Sequence, residues 1–326
     1  MSFDRLKCLI TGGIGFIGSN LAIKLDSLGA DITIVDSMIP DYGGNLFNIE
    51  PVKDKLRVNF SDMRDIHTLP YLVGSNDVIF NLAGQVSHLD SMKAPSTDLD
   101  INVRAQISLL EACRKHNPDA VIVYTSTRQI YGKPQYLPVD EAHPLCPVDV
   151  NGINKLAGEQ YHLLYHKVYG IKTVALRLTN TYGPRQLIKN SRQGFIGWFI
   201  KKVICDEKIE IFGDGSQVRD LTFVDDVVDA LIIAAQTPEC FGNVYNLGGE
   251  RISLKNLVNL MISIAGKGWY ELIPFPEERK KIDIGDFYGD YTKFRKVTEW
   301  EPKVSLCDGL QRTIRYYDEN KRKYLD

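Results

Sequence analysis

The chain has 326 residues, 44% of them apolar, which suits one large or two closely joined domains with a sizeable core. Its formal net charge of −2 excludes the overall basic field that gathers nucleic acid, and no apolar run approaches the ~18 residues of a membrane helix. Its six cysteines are scattered without a C-x-x-C pair, which argues against a zinc site or a redox pair; with a strand starting almost at Met1 there is no room for a signal peptide, and a reduced, soluble, cytoplasmic protein is expected.

In chain order, the apolar run Cys8 to Ile10 predicts a short buried strand. Gly12, Gly15 and Gly18 follow, and Phe16 to Leu28 carries helical apolar periodicity. Strand, glycine turn and helix in this order form a pyrophosphate site, because glycines let the backbone approach phosphate and the helix N-terminus adds partial positive charge. A second strand, Asp31 to Val35, leads into Asp36, 18 positions after Gly18, where a ribose-binding carboxylate is expected. That carboxylate would repel a 2′-phosphate, and Ser37 and Met38 bring no arginine to receive one, so the predicted cofactor is NAD and not NADP. A glycine-rich loop at 41–45 follows, then strands at 56–60 and 77–83, a long amphipathic helix from Thr97 to His116, a strand at 120–125, a helix from Asn151 to Tyr169 stopped by Gly170, and a strand at 171–178. Alternating strands and helices imply a parallel sheet covered on both faces.

The second half is less regular. Gly194 to Ile204 predicts a short aromatic-rich helix, Gly213 to Ser216 a turn, Val224 to Ala235 an apolar helix and Val244 to Gly248 a strand; Leu254 to Ala265 and Ser305 to Tyr317 are helical in pattern. Pro274-Phe-Pro opens a charged loop, Glu277 to Lys281. With no linker between the halves, a second domain should pack on the first without a flexible hinge, leaving a ligand cleft at the carboxyl ends of the strands.

Four stretches should meet there: the glycine loop; Ser61-Asp62-Met63, where Asp62 is suited to an adenine amine or to capping a helix; Thr125 to Gly132, a hydroxyl-rich turn; and Asn151 to Lys155. Together with L-A-G-Q at 82–85, R-L-T-N-T-Y-G-P-R at 177–185 and G-D-G-S-Q-V-R-D at 213–220, they resemble the extended short-chain dehydrogenase/reductase family, in particular its nucleotide-sugar epimerases and dehydratases. Arg192 to Phe199, L-A-G-Q-V and G-S-Q-V-R-D look like the CDP-paratose 2-epimerase branch. The resemblance implies an α/β fold, a Rossmann-type doubly wound parallel sheet (residues 1–179 and roughly 212–248) with a smaller C-terminal α/β nucleotide-sugar domain (180–211 and 249–326). It implies NAD as cofactor, a nucleotide-diphosphate sugar as partner, and a homodimer formed through the two long helices. For NAD it points to Gly12, Gly15, Phe16, Ile17, Gly18, Asp36, Ser37, Asp62, Met63, Leu82, Ala83, Gly84, Asn102, Thr125 and Lys155. For the nucleotide sugar it points to Ser87, Ser126, Thr127, Asn180, Trp198, Arg219 and Arg279, the arginines for the diphosphate.

The family's chemistry is transient oxidation of a sugar hydroxyl, with a Tyr base four residues before a ribose-holding Lys and a Ser or Thr on the reacting hydroxyl. Here Lys155 and Thr127 match, but the Tyr position holds Asn151, whose amide has no proton to trade near neutral pH. Another group would then carry the proton, or activity is lost, or the residue was altered. His88 and Tyr131 are the favoured replacement bases, with Tyr182, Cys146 and Asp149 behind them, and Asn151 would orient the substrate. Arg128-Gln129 stands where 4,6-dehydratases carry Asp-Glu, which weighs against dehydration. The expected protein is an NAD-dependent nucleotide-sugar epimerase with non-standard proton transfer. The alternatives are a nucleotide-sugar dehydrogenase, reductase or decarboxylase, or a silent NAD and sugar-nucleotide binder.

Overall fold

A computed structural model describes the chain apart from Met1, Pro40, Asp41, Lys281, Ile282 and Asp326 and the side chains of Glu278 and Arg279. Its strands are β1 (Lys7–Thr11), β2 (Asp31–Val35), β3 (Arg57–Asn59), β4 (Val78–Asn81), β5 (Val121–Thr127), β6 (Lys172–Leu178), β7 (Asn180–Tyr182), β8 (Lys208–Phe212), β9 (Val218–Phe223), β10 (Val244–Asn246), β11 (Glu250–Ser253) and β12 (Trp269–Ile273). Seven of them form one parallel sheet in the order β10-β6-β5-β4-β1-β2-β3. The order reverses between β1 and β4, which opens a crevice above their carboxyl ends.

Side-chain alternation explains the two covered faces. Cys8 and Ile10 of β1, with Val121 and Val123 of β5, pack on one side with Leu21, Leu25 and Leu231 from helices Phe16–Ser27 and Val224–Gln236. Leu9 and Ile122 point to the other side and meet Leu109, Leu110 and Tyr165 from helices Ala105–His116 and Val150–Tyr169. Strands buried on both faces need near-continuous apolar runs, and these have them.

The helix expected from Thr97 to His116 is continuous in path but not in type. Pro95–Leu99 is α-helical, Asp100–Arg104 is a π turn, and Ala105–His116 resumes the α-helix. The predicted strands at 56–60 and 77–83 shorten to β3 and β4, and the charged stretch after Pro276 forms a short helix, Glu277–Lys280, with Lys281 outside the described residues. A smaller unit is built from a three-stranded sheet β11-β9-β7, the parallel pair β12-β8, and helices Phe195–Ile204, Leu254–Ala265 and Leu306–Glu319. β10 joins the large sheet, whereas β8 and β9 lie in the small ones. One continuous apolar core runs from Ile10 through Leu178 and Leu221 to Ile209 and Leu310, so both units share their packing. No helix among the described residues is long and apolar enough to cross a membrane.

Candidate active site

A cleft of about 1180 Å³ lies between the two units, above the carboxyl ends of β1, β2, β4, β5 and β6. At one end the chain turns through Gly12, whose φ of +68° suits glycine, and a Cβ there would meet the Ala83 backbone at 3.0 Å. A Cβ on Gly18 would fall 2.4 Å from the Gly12 carbonyl oxygen. Gly15 caps helix Phe16–Ser27, and no side chain among the described residues accepts from its first turn. Unfilled backbone N–H groups at a glycine-walled helix start are suited to a pyrophosphate. Phe16, Ile17, Ser37, Leu82 and Gly84 line the same end. Ala83 lies behind it, and its N–H and that of Leu82 donate to the Thr11 hydroxyl, both at 3.0 Å.

The Asp36 carboxylate accepts from Ile14 N–H at 3.1 Å and Met38 N–H at 2.9 Å. Burial raises its pKa, and these two hydrogen bonds oppose the rise. Fixed at the tip of β2, it is placed as a ribose acceptor. The residues present thus fit a dinucleotide. Asp62 differs from expectation: its carboxylate holds the Arg64 guanidinium at 2.5 Å and the Arg64 N–H at 2.8 Å, while Met63 packs below the sheet, and neither lines the cleft.

Lys155 is buried in helix Val150–Tyr169. Its Nζ donates to the Thr125 carbonyl at 2.6 Å and lies 4.5 Å from the centre of the Tyr124 ring. Burial pulls its pKa down to about 8, against the opposing fields of Asp98 and Glu159. Asn102 sits in the π turn, fully buried, donating to the Gln85 carbonyl at 3.1 Å, with its own oxygen, beside Gly84, unpaired among the described residues. Ser126 is buried and lines the cleft, and its hydroxyl has no partner among the described residues.

Asn151 is 1% exposed. Its Nδ2 lies within donating distance of three acceptors: the Gln85 carbonyl at 2.7 Å, Gln85 Oε1 at 3.0 Å and Asp98 Oδ2 at 2.9 Å. Asn154, one turn on, donates to the other Asp98 oxygen at 2.7 Å. An amide has two N–H hydrogens, and protein acceptors take both. Its N–H groups tie helix Val150–Tyr169 to Gln85 in the loop after β4 and to Asp98 in Pro95–Leu99, while the residue also lines the cleft.

Tyr131, one of the two favoured bases, is also corrected. It is fully buried outside the cleft; its hydroxyl donates to Asn246 Oδ1 at 2.6 Å and accepts from Arg177 at 2.6 Å. Burial pushes its phenol up to about 12, the wrong direction for a base, although Arg177 and Asn246 pull against it. Tyr182 is buried packing and donates weakly to the Leu306 carbonyl at 3.4 Å.

His88 is placed differently. It opens a short helix, His88–Lys93, capped by the Ser87 hydroxyl, which accepts from Asp90 N–H at 3.2 Å. Its imidazole is 39% exposed and lines the cleft. Nδ1 is hydrogen-bonded to Asp149 Oδ2, and Nε2 lies 2.7 Å from the Gln129 side-chain nitrogen. This pattern assigns the proton to Nδ1 and leaves Nε2 as the acceptor. Asp149 also caps helix Val150–Tyr169 by accepting from Gly152 N–H at 2.7 Å. Burial raises its carboxyl pKa, but the bonds from His88 and Gly152 bring it below its usual value. Gln129 links the pair to Thr127, whose hydroxyl accepts the Gln129 N–H at 3.3 Å.

At the far end, Asn180 donates to the Asp220 carbonyl at 3.0 Å, and Trp198 faces the cleft with Lys202 4.7 Å from its ring centre. Arg219 donates to the Gly285 carbonyl at 2.6 Å and lies 4.0 Å from Asp283. The Arg279 side chain lies outside the described residues. Sequence reasoning gave Gln85 and Asp98 no role and read Gln129 only as weighing against dehydration; their partners Asn151 and His88 lie far away in the chain.

The profile of the NAD dependent epimerase/dehydratase family matches residues 8–248. The chain is 32% identical over 340 residues to a CDP-paratose 2-epimerase of Salmonella typhi, covering 94% of this chain and 98% of that one. It is 31% identical over 317 residues to a UDP-glucose 4-epimerase of Mycolicibacterium smegmatis, covering 96% and 98%. Among solved structures, the UDP-glucose 4-epimerase of Thermotoga maritima with UDP-glucose superposes with a TM-score of 0.88 at 30% identity, covering 97% of this chain and 100% of that one.

Proposed function

This chain belongs to the NAD-dependent epimerase/dehydratase family, and from that premise we propose that it epimerises a nucleotide sugar, with His88 and Asp149 handling the proton that a tyrosine carries elsewhere in the family. NAD, when bound, supplies the hydride acceptor and donor for transient oxidation at a sugar carbon. Gly12, Gly15, Gly18 and Asp36 would hold its pyrophosphate and adenosine ribose, and Lys155 its nicotinamide ribose. Relatives named as epimerases of UDP-glucose and CDP-paratose support a nucleotide sugar as substrate.

The observation that carries this reading is the His88–Asp149 pair in the cleft, linked through Gln129 to Thr127. Thr127 would hold the reacting hydroxyl, which takes the place of the Gln129 amide at His88 Nε2. The imidazole accepts the hydroxyl proton and becomes a cation, and the buried Asp149 carboxylate stabilises that charge through Nδ1. The Gln129 amide then turns its oxygen, unpaired among the described residues, toward the new Nε2–H. The keto sugar turns its other face before hydride and proton return to it, which inverts the carbon and restores neutral His88. Lys155, beside Thr125, would supply positive charge near the forming oxyanion.

A homodimer is part of the proposal. Ile153, Leu164 and Val168, about half exposed at helical spacing on Val150–Tyr169, support a shared face between two copies.

The test is incubation with NAD and UDP-, CDP-, GDP- and dTDP-sugars, followed by proton NMR. An epimer should form from one of them without release of free NADH. Tight binding with no conversion across the panel would instead favour a silent binder, and net NADH formation a dehydrogenase.

A further inference from the structure

Arg177, which is buried, and Arg128, which is partly exposed, differ in one respect. Arg177 is fully answered: Glu159 takes it through both oxygens, at 2.9 and 2.6 Å, and Tyr131 accepts from it at 2.6 Å. Arg128 is not. It follows Thr127 directly, lines the cleft and lies 5.1 Å from the centre of the Phe287 ring. Among the described residues no oxygen accepts a hydrogen bond from its guanidinium and no carboxylate comes within ion-pair distance. Asp149 and Asp220 act on it only at longer range. Both Asp149 oxygens are engaged by His88 and Gly152, while one Asp220 oxygen accepts the Gly289 N–H at 3.0 Å and the other has no partner among the described residues. Arg219 adds a like charge to the same cleft, and burial together with that charge pulls the Arg128 guanidinium down to about 10. A guanidinium beside an aromatic ring, with no acceptor among the described residues, is suited to receive a carboxylate or phosphate.

Position decides which anion. Arg219, anchored to the Gly285 carbonyl at the small-unit end, is suited to a diphosphate. Arg128 directly follows Thr127 and stands between the two ends, within the fields of Arg219 and Asp220 on one side and of Asp149 on the other. We propose that Arg128 binds a carboxylate on the sugar itself, so that the substrate is a nucleotide hexuronate. This rests on the nucleotide-sugar reading above. A guanidinium that holds the carboxylate also keeps its electrons on oxygen, which opposes loss of carbon dioxide and fits epimerisation better than decarboxylation.

The test is calorimetry at saturating NAD with UDP, CDP, GDP and dTDP and with the glucose and glucuronate esters of whichever nucleotide binds best. The glucuronate ester should bind about 10- to 100-fold more tightly than the glucose ester. Arg128→Gln should abolish that difference while leaving the bare nucleoside diphosphate unaffected, and Arg128→Lys should restore part of it. A wild-type protein that binds both esters equally, a comparison that needs no variant, overturns the proposal. So does an Arg128→Gln protein, folded by its melting curve, that weakens the diphosphate and both esters alike, since Arg128 would then be a diphosphate ligand. Preferred binding and turnover of a neutral sugar would remove the hexuronate and leave the epimerase reading intact; failure of every nucleotide to bind would remove both.

Discussion

The side-chain amide of Asn151 makes at least as many hydrogen bonds as it has hydrogens, all to buried acceptors. Asn151→Ala strands Gln85 and Asp98, and a buried acceptor left unpaired costs about 1–3 kcal/mol. The variant should therefore melt several degrees lower, as calorimetry can show; an unchanged melting temperature would mean that the amide is not holding the loop after β4. Lys155 gives a pH prediction. Its pKa is held near 8, below the ordinary lysine value, so its charge is present below that pH and lost as pH rises through it. Affinity for NAD should fall as pH rises from about 7 to about 9.5, while a flat dissociation constant would contradict a charged Lys155 at the ribose. At this scale the sequence points to Asp36 through the strand before it, and to Lys155 and Thr127 only through resemblance to the family's motif. The engagement of Asn151 was not legible, because Asp98 and Gln85 lie 53 and 66 positions away. Tyr131 misled for the same reason, its phenol being turned to Asn246 and Arg177.

Helix Val150–Tyr169 begins on Asp149, which serves as cap and as partner of His88. The two roles separate by substitution. Serine caps about as well as aspartate, so Asp149→Ser should keep its melting temperature yet lose turnover, whereas Asp149→Ala should lose turnover and a further ~1 kcal/mol of stability. Equal turnover in wild type and Asp149→Ser would end the case for the pair. At the other terminus of the cleft, helix Phe16–Ser27 tolerates nothing larger than hydrogen at Gly18, where a Cβ would meet the Gly12 carbonyl. Gly18→Ala should abolish measurable NAD binding in calorimetry, and retained affinity would show that the glycine turn can shift. Periodicity located both helices to within a residue or two. It could not reveal the π turn at Asp100–Arg104, since one extra residue in a turn leaves the apolar spacing almost unchanged while pointing Asn102 inward.

Across the whole molecule, the large sheet was readable because its strands are continuous apolar runs separated by helices. The smaller unit was only partly so: β7, β9 and β11 contribute 3, 6 and 4 residues from widely separated segments, too short for a period to declare itself. Pairing among them depends on where the large sheet holds their ends. The exposed apolar stripe on Val150–Tyr169 yields a prediction at this scale. The protein should sediment as a dimer, and Leu164→Glu should shift it to monomer; a monomeric wild type would contradict the proposed face. The most direct measurement is turnover of a nucleotide sugar, followed by proton NMR with NAD, in wild type and His88→Gln side by side. Wild type should form the epimer without free NADH, and His88→Gln, equally stable, should be slower by about 10²–10⁴. A His88→Gln protein that epimerises at the wild-type rate would contradict proton transfer through His88.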